Sequence, residues 1–375
     1  MFKRSRKGYK SYLNKFGTSH GLYSTRRSSG GFHLRPLDAV LIILPILLIL
    51  ILFLPPIAGV RGTGGLDGDG TGRSRDGQGD TQPGVIEYEG KLVVKVYFPQ
   101  DNKTEEMTLE DYVVGVLAAE MPASFHEEAL KAQAVAARTF AFSRMLGLYV
   151  SKESHNGADV CTDSTHCQAY MSKEQYLERS GKKEDWSKLE KAVKATKNQV
   201  ITYEKAIINP LYHANSGGVT EDVEAVWSVS GQVPYLKSVY SPDESTYSNY
   251  AVKSVFSWDD IKAKVLSRYK DAVLGEDARQ ELEIKTYSAS GRVAEIRTGS
   301  VVMGGPVFRE LLNLRSTNFE ITMPDEKTVE ITTTGFGHGV GMSQCGADVL
   351  GREGLGYMDI LKYYYTGVSI DEIKQ

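Results

Sequence analysis

The stretch Leu109–Arg144, LEDYVVGVLAAEMPASFHEEALKAQAVAARTFAFSR, decides how the rest of the chain is read. Two apolar helical runs are broken at Pro122, a residue that does not continue a helix. One acid, Glu120, stands at the break among Ala118, Ala119, Met121 and Pro122. A carboxylate in the last turn of a helix faces the negative end of the macrodipole, which disfavours its ionisation. Apolar neighbours solvate charge poorly and act in the same direction. Both effects favour a carboxyl that keeps its proton near neutral pH, the state a proton donor requires. Glu120 is therefore the first candidate for acid–base chemistry. The competing reading is a carboxyl that merely caps a helix end through a buried hydrogen bond.

Working outward, Thr108 with Asp111 three residues on reads as the N-cap of the first helix. Ser124 is the expected cap of the second, roughly Glu127 to Leu146. The upstream run KLVVKVYF, within Val85–Pro99, is β-branched and aromatic and reads as a strand. Further helices are expected around Leu189–Lys197 and Trp258–Tyr269. Strands are expected at Val200–Tyr203, Ala206–His213, Leu282–Tyr287, Val293–Arg297, Phe319–Met323 and Thr328–Thr333. A glycine-rich turn and a tyrosine-rich helical tail close the chain. The expected fold class is α+β, a single mixed body of helices and antiparallel strands behind one N-terminal transmembrane helix.

The chain has 375 residues and a formal net charge of −3, which conceals an asymmetry. Residues 1–36 carry nine Lys/Arg and no acid, whereas the rest has 35 basic against 47 acidic side chains. An acidic body argues against nucleic acid as its partner. The run Ala39–Leu54, AVLIILPILLILILFL, has no polar side chain and is close to the length that crosses a bilayer. With the basic block on its N-terminal side, the positive-inside rule places residues 1–36 in the cytoplasm. Expected regions are a basic cytoplasmic tail (1–36), a transmembrane anchor (37–60), a glycine-rich linker (61–84) and an extracytoplasmic catalytic domain (85–375). That makes a single-pass membrane protein with a cytoplasmic N-terminus. A cleaved signal peptide is the competing reading; the long basic head and the absence of a small-residue cleavage site speak against it.

Three further constellations carry chemistry. His155, Cys161, His166 and Cys167 fall within SHNGADVCTDSTHCQAY, two imidazoles and two sulfurs suited to tetrahedral zinc. If all four bind, no position stays open for water, and the site is structural rather than catalytic. A Cys161–Cys167 disulfide is the alternative. LYHANSGGVTEDVEAVW places His213 and Ser216 in a polar turn before two glycines, which permit close approach of a ligand. GFGHGVGMSQCGADVL places His338, Ser343 and Gln344 near a helix start whose free N–H groups can hold sugar oxygens. Ordinary loops with structural histidines are the bland reading of both turns. Cys345 is left as a free thiol, with His338 as the nearest base in sequence.

These segments, together with PVFRELLNLRSTNFEI, resemble the stage II sporulation protein D family over about Met107 to Gly367. The resemblance implies a peptidoglycan lytic transglycosylase of forespore engulfment. It would cut the MurNAc–GlcNAc β-1,4 bond of peptide-stripped glycan and leave a 1,6-anhydro end. It implies Glu120 as the catalytic glutamate, and Lys131 and Arg138 match basic positions needed for function. The His-Cys-His-Cys loop is similar to the zinc-bearing version of clostridial members. Cys345 departs from the pattern, where an aromatic residue is more common. The implied partners are glycan strands and the stage II sporulation proteins P, an amidase, and M. One acid suffices for this chemistry, because the nucleophile belongs to the substrate, whereas glycoside hydrolysis uses two carboxylates. Two alternatives stand beside this reading. One is a non-catalytic glycan-binding enhancer of a cell-wall amidase; the other is a zinc hydrolase, which four protein ligands disfavour.

Overall fold

The computed structural model describes residues 84–149, 155–227 and 233–375. Its first helix, α1 (Leu109–Glu120), begins at Thr108, whose hydroxyl accepts a hydrogen bond from the Asp111 N–H at 3.1 Å. The next, α2 (Glu127–Met145), is capped by the ring of His126, which accepts from the Glu128 N–H, and not by Ser124. Small residues let neighbouring elements approach α2 closely along most of its length, and Ala129, Ala132, Ala134, Ala136, Ala137 and Ala141 are fully buried. Against α1 and α2 pack α4 (Lys183–Ala195), preceded by the amphipathic α3 (Lys173–Ser180), and two later helices.

Short strands frame this helical core. β1 (Val85–Glu87), β2 (Val93–Phe98) and β3 (Lys103–Thr108) precede α1. After α2 come β4 (Val160–Cys161), β5 (Gln199–Tyr203), β6 (Ala206–Ile207), β7 (Tyr212–His213) and the single turn α5 (Val223–Val226). The final segment adds β14 (Met342–Ser343), α9 (Gln344–Arg352), α10 (Tyr357–Tyr364) and β15 (Ser369–Lys374). These strands form the sheets β1-β15-β5-β6, β3-β2-β4 and β14-β7.

Residues 251–334 form a second module with its own apolar core. It consists of β8 (Ala251–Ser257), α6 (Trp258–Arg268), α7 (Ala278–Glu281), β9 (Leu282–Tyr287), β10 (Val293–Thr298), β11 (Val301–Gly304), α8 (Gly305–Leu312), β12 (Phe319–Thr322) and β13 (Thr328–Thr334). Two antiparallel three-stranded sheets, β11-β10-β9 and β12-β13-β8, enclose Trp258, Ile296, Phe308 and Ile331. Entry and exit are adjacent: the Gly335 N–H donates to the Tyr250 carbonyl at 2.7 Å. That is how an insertion leaves its host intact.

Several expectations are corrected. No helix among the described residues is long and apolar enough to cross a membrane. The longest, α2, is interrupted by Glu127, Glu128, Lys131, Arg138 and Arg144 and is covered by protein. The structure therefore supplies neither the transmembrane helix of the expected fold class nor the single-pass location with a cytoplasmic N-terminus. The run at 37–60 that suggested both, like the tail and most of the linker, lies outside the described residues. The strands are not all antiparallel either: β1 with β15, β2 with β4, and β7 with β14 run parallel. Each of these pairs joins distant segments, and long intervening chain is what a parallel pairing needs. The described residues form a mixed α+β body, with several small sheets around two apolar cores.

Candidate active site

The parallel pairing of β7 with β14 brings the two polar turns of the sequence together, Tyr212 opposite Met342 and His213 opposite Ser343. Glycine makes this possible. Gly341 has φ +73°, and a Cβ there would collide with the Leu211 carbonyl. Gly337, at φ +114°, lies against the side chain of His213. Above this floor opens a cleft of about 840 Å³. One wall comes from the helical core, with Glu120, Gln168 and Gln344; the other comes from α8 of the inserted module, with Arg309, Glu310 and Asn313.

Glu120 is the last residue of α1 and is only partly exposed. Its Oε1 accepts the Ala169 N–H at 2.8 Å, and the Gln344 amide hydrogen-bonds it as well. Burial raises its carboxyl above the ordinary value, against the opposing pull of those two donors. No cation pairs with it among the described residues. Gln344 is itself steadied by Gln133, at 3.5 Å in the interior.

The two histidines differ. The Nδ1 of His213 lies 3.1 Å from the Val340 carbonyl, which can only accept, so Nδ1 carries the proton. Nε2 is left as a buried acceptor with no partner among the described residues. Desolvation holds this ring well below the usual histidine range and hence neutral. His338 has both nitrogens engaged: Nδ1 accepts from the Val340 N–H at 3.1 Å, and the ring also bonds the Tyr212 backbone. Burial pushes its pKa down to about 4. His338 therefore offers its ring face, 5.1 Å from Trp227, rather than a free nitrogen.

Of the residues read from sequence, Glu120, His213, His338 and Gln344 meet in this cleft. Lys131, Arg138, Ser216 and Ser343 are not among its lining. Lys131 binds Glu128 at 2.6 Å. Arg138 is fully buried and grips Glu110 through two nitrogens, at 2.8 and 2.7 Å, with Thr196 and the Val193 and Gln199 carbonyls taking its other donors. Ser216 donates to Glu244 at 3.0 Å, and Ser343 caps α9. Cys345 is removed from nucleophilic chemistry, since burial pushes its thiol up to about 12.

Among the lining residues that sequence reading missed are Trp227, Phe336, Arg309 and Asn313. Trp227 and Phe336 remain 41% and 44% exposed, and the Arg315 guanidinium lies 4.0 Å over the Phe336 ring. Exposed rings in a polar cleft were the available signal, but exposure is not visible in a sequence.

His155, Cys161, His166 and Cys167 converge, their ligand atoms all within 4.8 Å of one another, so the cluster could hold a metal ion. The cysteines are free thiols in this structure. His155 Nε2 stands 2.9 Å from His166 Nδ1, and Cys167 Sγ stands 3.2 Å from His155 Nε2. Two imidazoles and two thiols are a donor set for tetrahedral zinc, and the Cys161 and Cys167 sulfurs stand 3.5 and 3.7 Å from His166 Nδ1. The cluster sits immediately before Gln168 and Ala169. Tyr170 then packs on Gly115 of α1, and the Met171 N–H donates to the Gly115 carbonyl at 3.0 Å. The loop that holds Glu120 is thus pinned at both ends.

Comparison with known proteins follows this geometry. A family model described as Stage II sporulation protein matches residues 99–203. Stage II sporulation protein D of Bacillus amyloliquefaciens is 37% identical over 286 residues, covering 76% of this chain and 80% of that protein. Its counterpart in Bacillus subtilis (strain 168) is 36% identical over 282 residues, covering 74% and 79%. A protein of Bacillus subtilis (strain 168) named amidase enhancer is 28% identical over 311 residues, covering 68% of this chain and 40% of its own length. Likeness of that degree along most of both chains, together with the shared block 99–203, makes this chain a member of the stage II sporulation protein D family.

Proposed function

We propose that the cleft performs lytic transglycosylation of peptidoglycan, cutting the MurNAc–GlcNAc β-1,4 bond of peptide-stripped glycan during forespore engulfment. The supporting observation is Glu120, a carboxyl raised by burial, free of any ion pair among the described residues and open to a cleft. Protonated, it donates its hydrogen to the glycosidic oxygen as the C1–O bond breaks. The substrate's own 6-hydroxyl then closes on C1 and returns its proton to Glu120, leaving a 1,6-anhydro end and a regenerated acid. Because the nucleophile is part of the substrate, attack is intramolecular and no second carboxylate is needed. The Ala169 N–H and the Gln344 amide stabilise the carboxylate form that exists between the two steps.

The rest of the cleft suits a sugar chain. The Trp227 and Phe336 faces take the apolar C–H faces of pyranose rings. Zn2+ would occupy the His155–Cys161–His166–Cys167 set in a structural role, with every position filled by protein. The zinc would fasten the loop that aims Ala169 at Glu120. Stage II sporulation proteins P and M are the proposed companions. The test is a muropeptide digest of peptide-stripped glycan by wild-type and Glu120→Gln protein. Anhydro ends from the first alone support the reading, and equal release by both overturns it. A second reading, motivated by the amidase-enhancer relative, is a glycan-binding stimulator of a separate amidase. It would leave glycan uncut by wild-type protein while raising amidase turnover.

A further inference from the structure

Arg309 is a cation in the cleft with no anion. It stands in the last turn of α8, is half-buried, and lines the same cleft as Glu120. Its Nε–H donates to the Leu314 carbonyl at 3.1 Å, and no carboxylate pairs with it among the described residues. The adjacent Glu310 turns instead to Arg268, at 3.2 Å. Of the other lining groups nearby, His338 is neutral, Phe336 is apolar and Asn313 presents an amide. Arg138, fully buried, has Glu110, whereas the buried Arg144 and Arg292 are held by uncharged oxygens; what sets Arg309 apart is that it lines the cleft. A half-desolvated cation left unpaired in a binding cleft points to an anion supplied from outside.

We infer that Arg309 receives the lactyl carboxylate of a peptide-free MurNAc residue, and that it thereby makes the cleft selective for glycan without stem peptides. The inference rests on the substrate class proposed above. In a stripped strand each MurNAc carries one free carboxylate on its lactyl ether, the sole charge of the repeating disaccharide. In a peptide-bearing strand that carboxyl is consumed in an amide bond, so its charge at that point is gone. The planar fork of arginine matches a carboxylate bidentately, which a lysine cannot do. Asn313, left-handed at φ +53° just past the end of α8, is placed on the same wall to add an amide contact.

The test compares two ligands: peptide-free glycan strands, and the same strands with the lactyl carboxyls converted to methylamides. Binding is measured on full-length protein carrying Glu120→Gln, so that strands stay intact, with and without Arg309→Gln. Arg309→Gln is expected to weaken binding of the free-acid strand by about 10- to 100-fold, and to leave the methylamide strand within about twofold. Arg309→Lys should recover part of the loss. Equal loss on both strands, or equal binding of both by the Arg309 protein, overturns the inference. The second comparison needs no Arg309 variant and so decides even if that variant fails to fold. Failure of the parent reading looks different: wild-type protein would release no anhydro ends from either strand, whatever the binding data say of Arg309.

Discussion

The two walls of the cleft are built on opposite principles. On the core wall nearly every polar group is already committed to protein. Glu120 is held by Ala169 and Gln344, Gln344 by Gln133, and Gln168 spans Tyr112 and Tyr212. On the module wall Arg309 has one hydrogen bond, while Glu310 is solvent-exposed. A group that must move a proton benefits from being fixed before substrate arrives. A group that must recognise a flexible chain can be fixed by it. Under the proposed function, the contrast gives chemistry to the first wall and selection to the second.

The sharpest way to break that assignment is to unmake the acid. Glu120→Gln is expected to lower anhydro-muropeptide release by about 10³-fold, within the range general acids contribute, with glycan binding retained. The same carboxyl sets two pH trends. Because its folded pKa is raised, activity should fall as pH rises through that value and the donor loses its proton. Stability follows the same sign: the folded state holds the proton more tightly than the unfolded chain. That contribution is complete below the ordinary carboxyl range and is lost as pH climbs through the raised value. Glu120→Gln should therefore melt higher than wild type at neutral pH, with the gap closing in acid. A melting difference independent of pH would contradict the burial argument.

Releasing the loop behind the acid comes next. Metal removal, or Cys161→Ser, should lower the melting temperature by several degrees. It should also cost about tenfold in turnover through misplacement of the Ala169 N–H, without change in the cleavage product. Undiminished activity in metal-free, folded protein would separate the clamp from the acid. A smaller effect belongs to the aromatic floor: Trp227→Ala should raise KM about fivefold and leave kcat nearly unchanged, consistent with a stacking contribution of about 1 kcal/mol. The smallest is expected at Glu310→Gln, within about twofold, because its carboxylate is solvated and paired with Arg268. A large loss there would make the cleft a two-carboxylate hydrolase and dissolve the division of labour.

Sequence resolved the core wall far better than the module wall, for a physical reason. Glu120 is announced locally, by an apolar helix that stops at proline. His213, His338 and Gln344 are announced by glycines that force tight turns. Arg138 and Lys131 carried a family expectation, yet the only local cue was a charge inside an alanine-rich helix. Such a charge needs a partner, and that partner, Glu110, sits 28 positions upstream. Ser216 and Ser343 occupy turns that read as ligand-facing, but short hydroxyl side chains more readily satisfy backbone and carboxyl neighbours. Arg309 and Asn313 line the cleft only because an inserted module folds over it. That juxtaposition depends on tertiary contacts no local pattern encodes. The same holds for β8 and β15, strands whose pairing partners lie far away in the chain.

The ladder between β1 and β15 carries a kinetic consequence. Gly84 and Asp371, 287 positions apart, are joined by a hydrogen bond at its edge, and β15 is an inner strand of its sheet. A ribosome therefore delivers β15 after both of its neighbours, and until it arrives β1 and β5 stand as open edges ready to pair wrongly. High contact order of this kind slows folding. It makes closure of this sheet wait for β15, so a cut between β5 and β15 would spare Glu120 and still leave β1 and β5 without the strand between them.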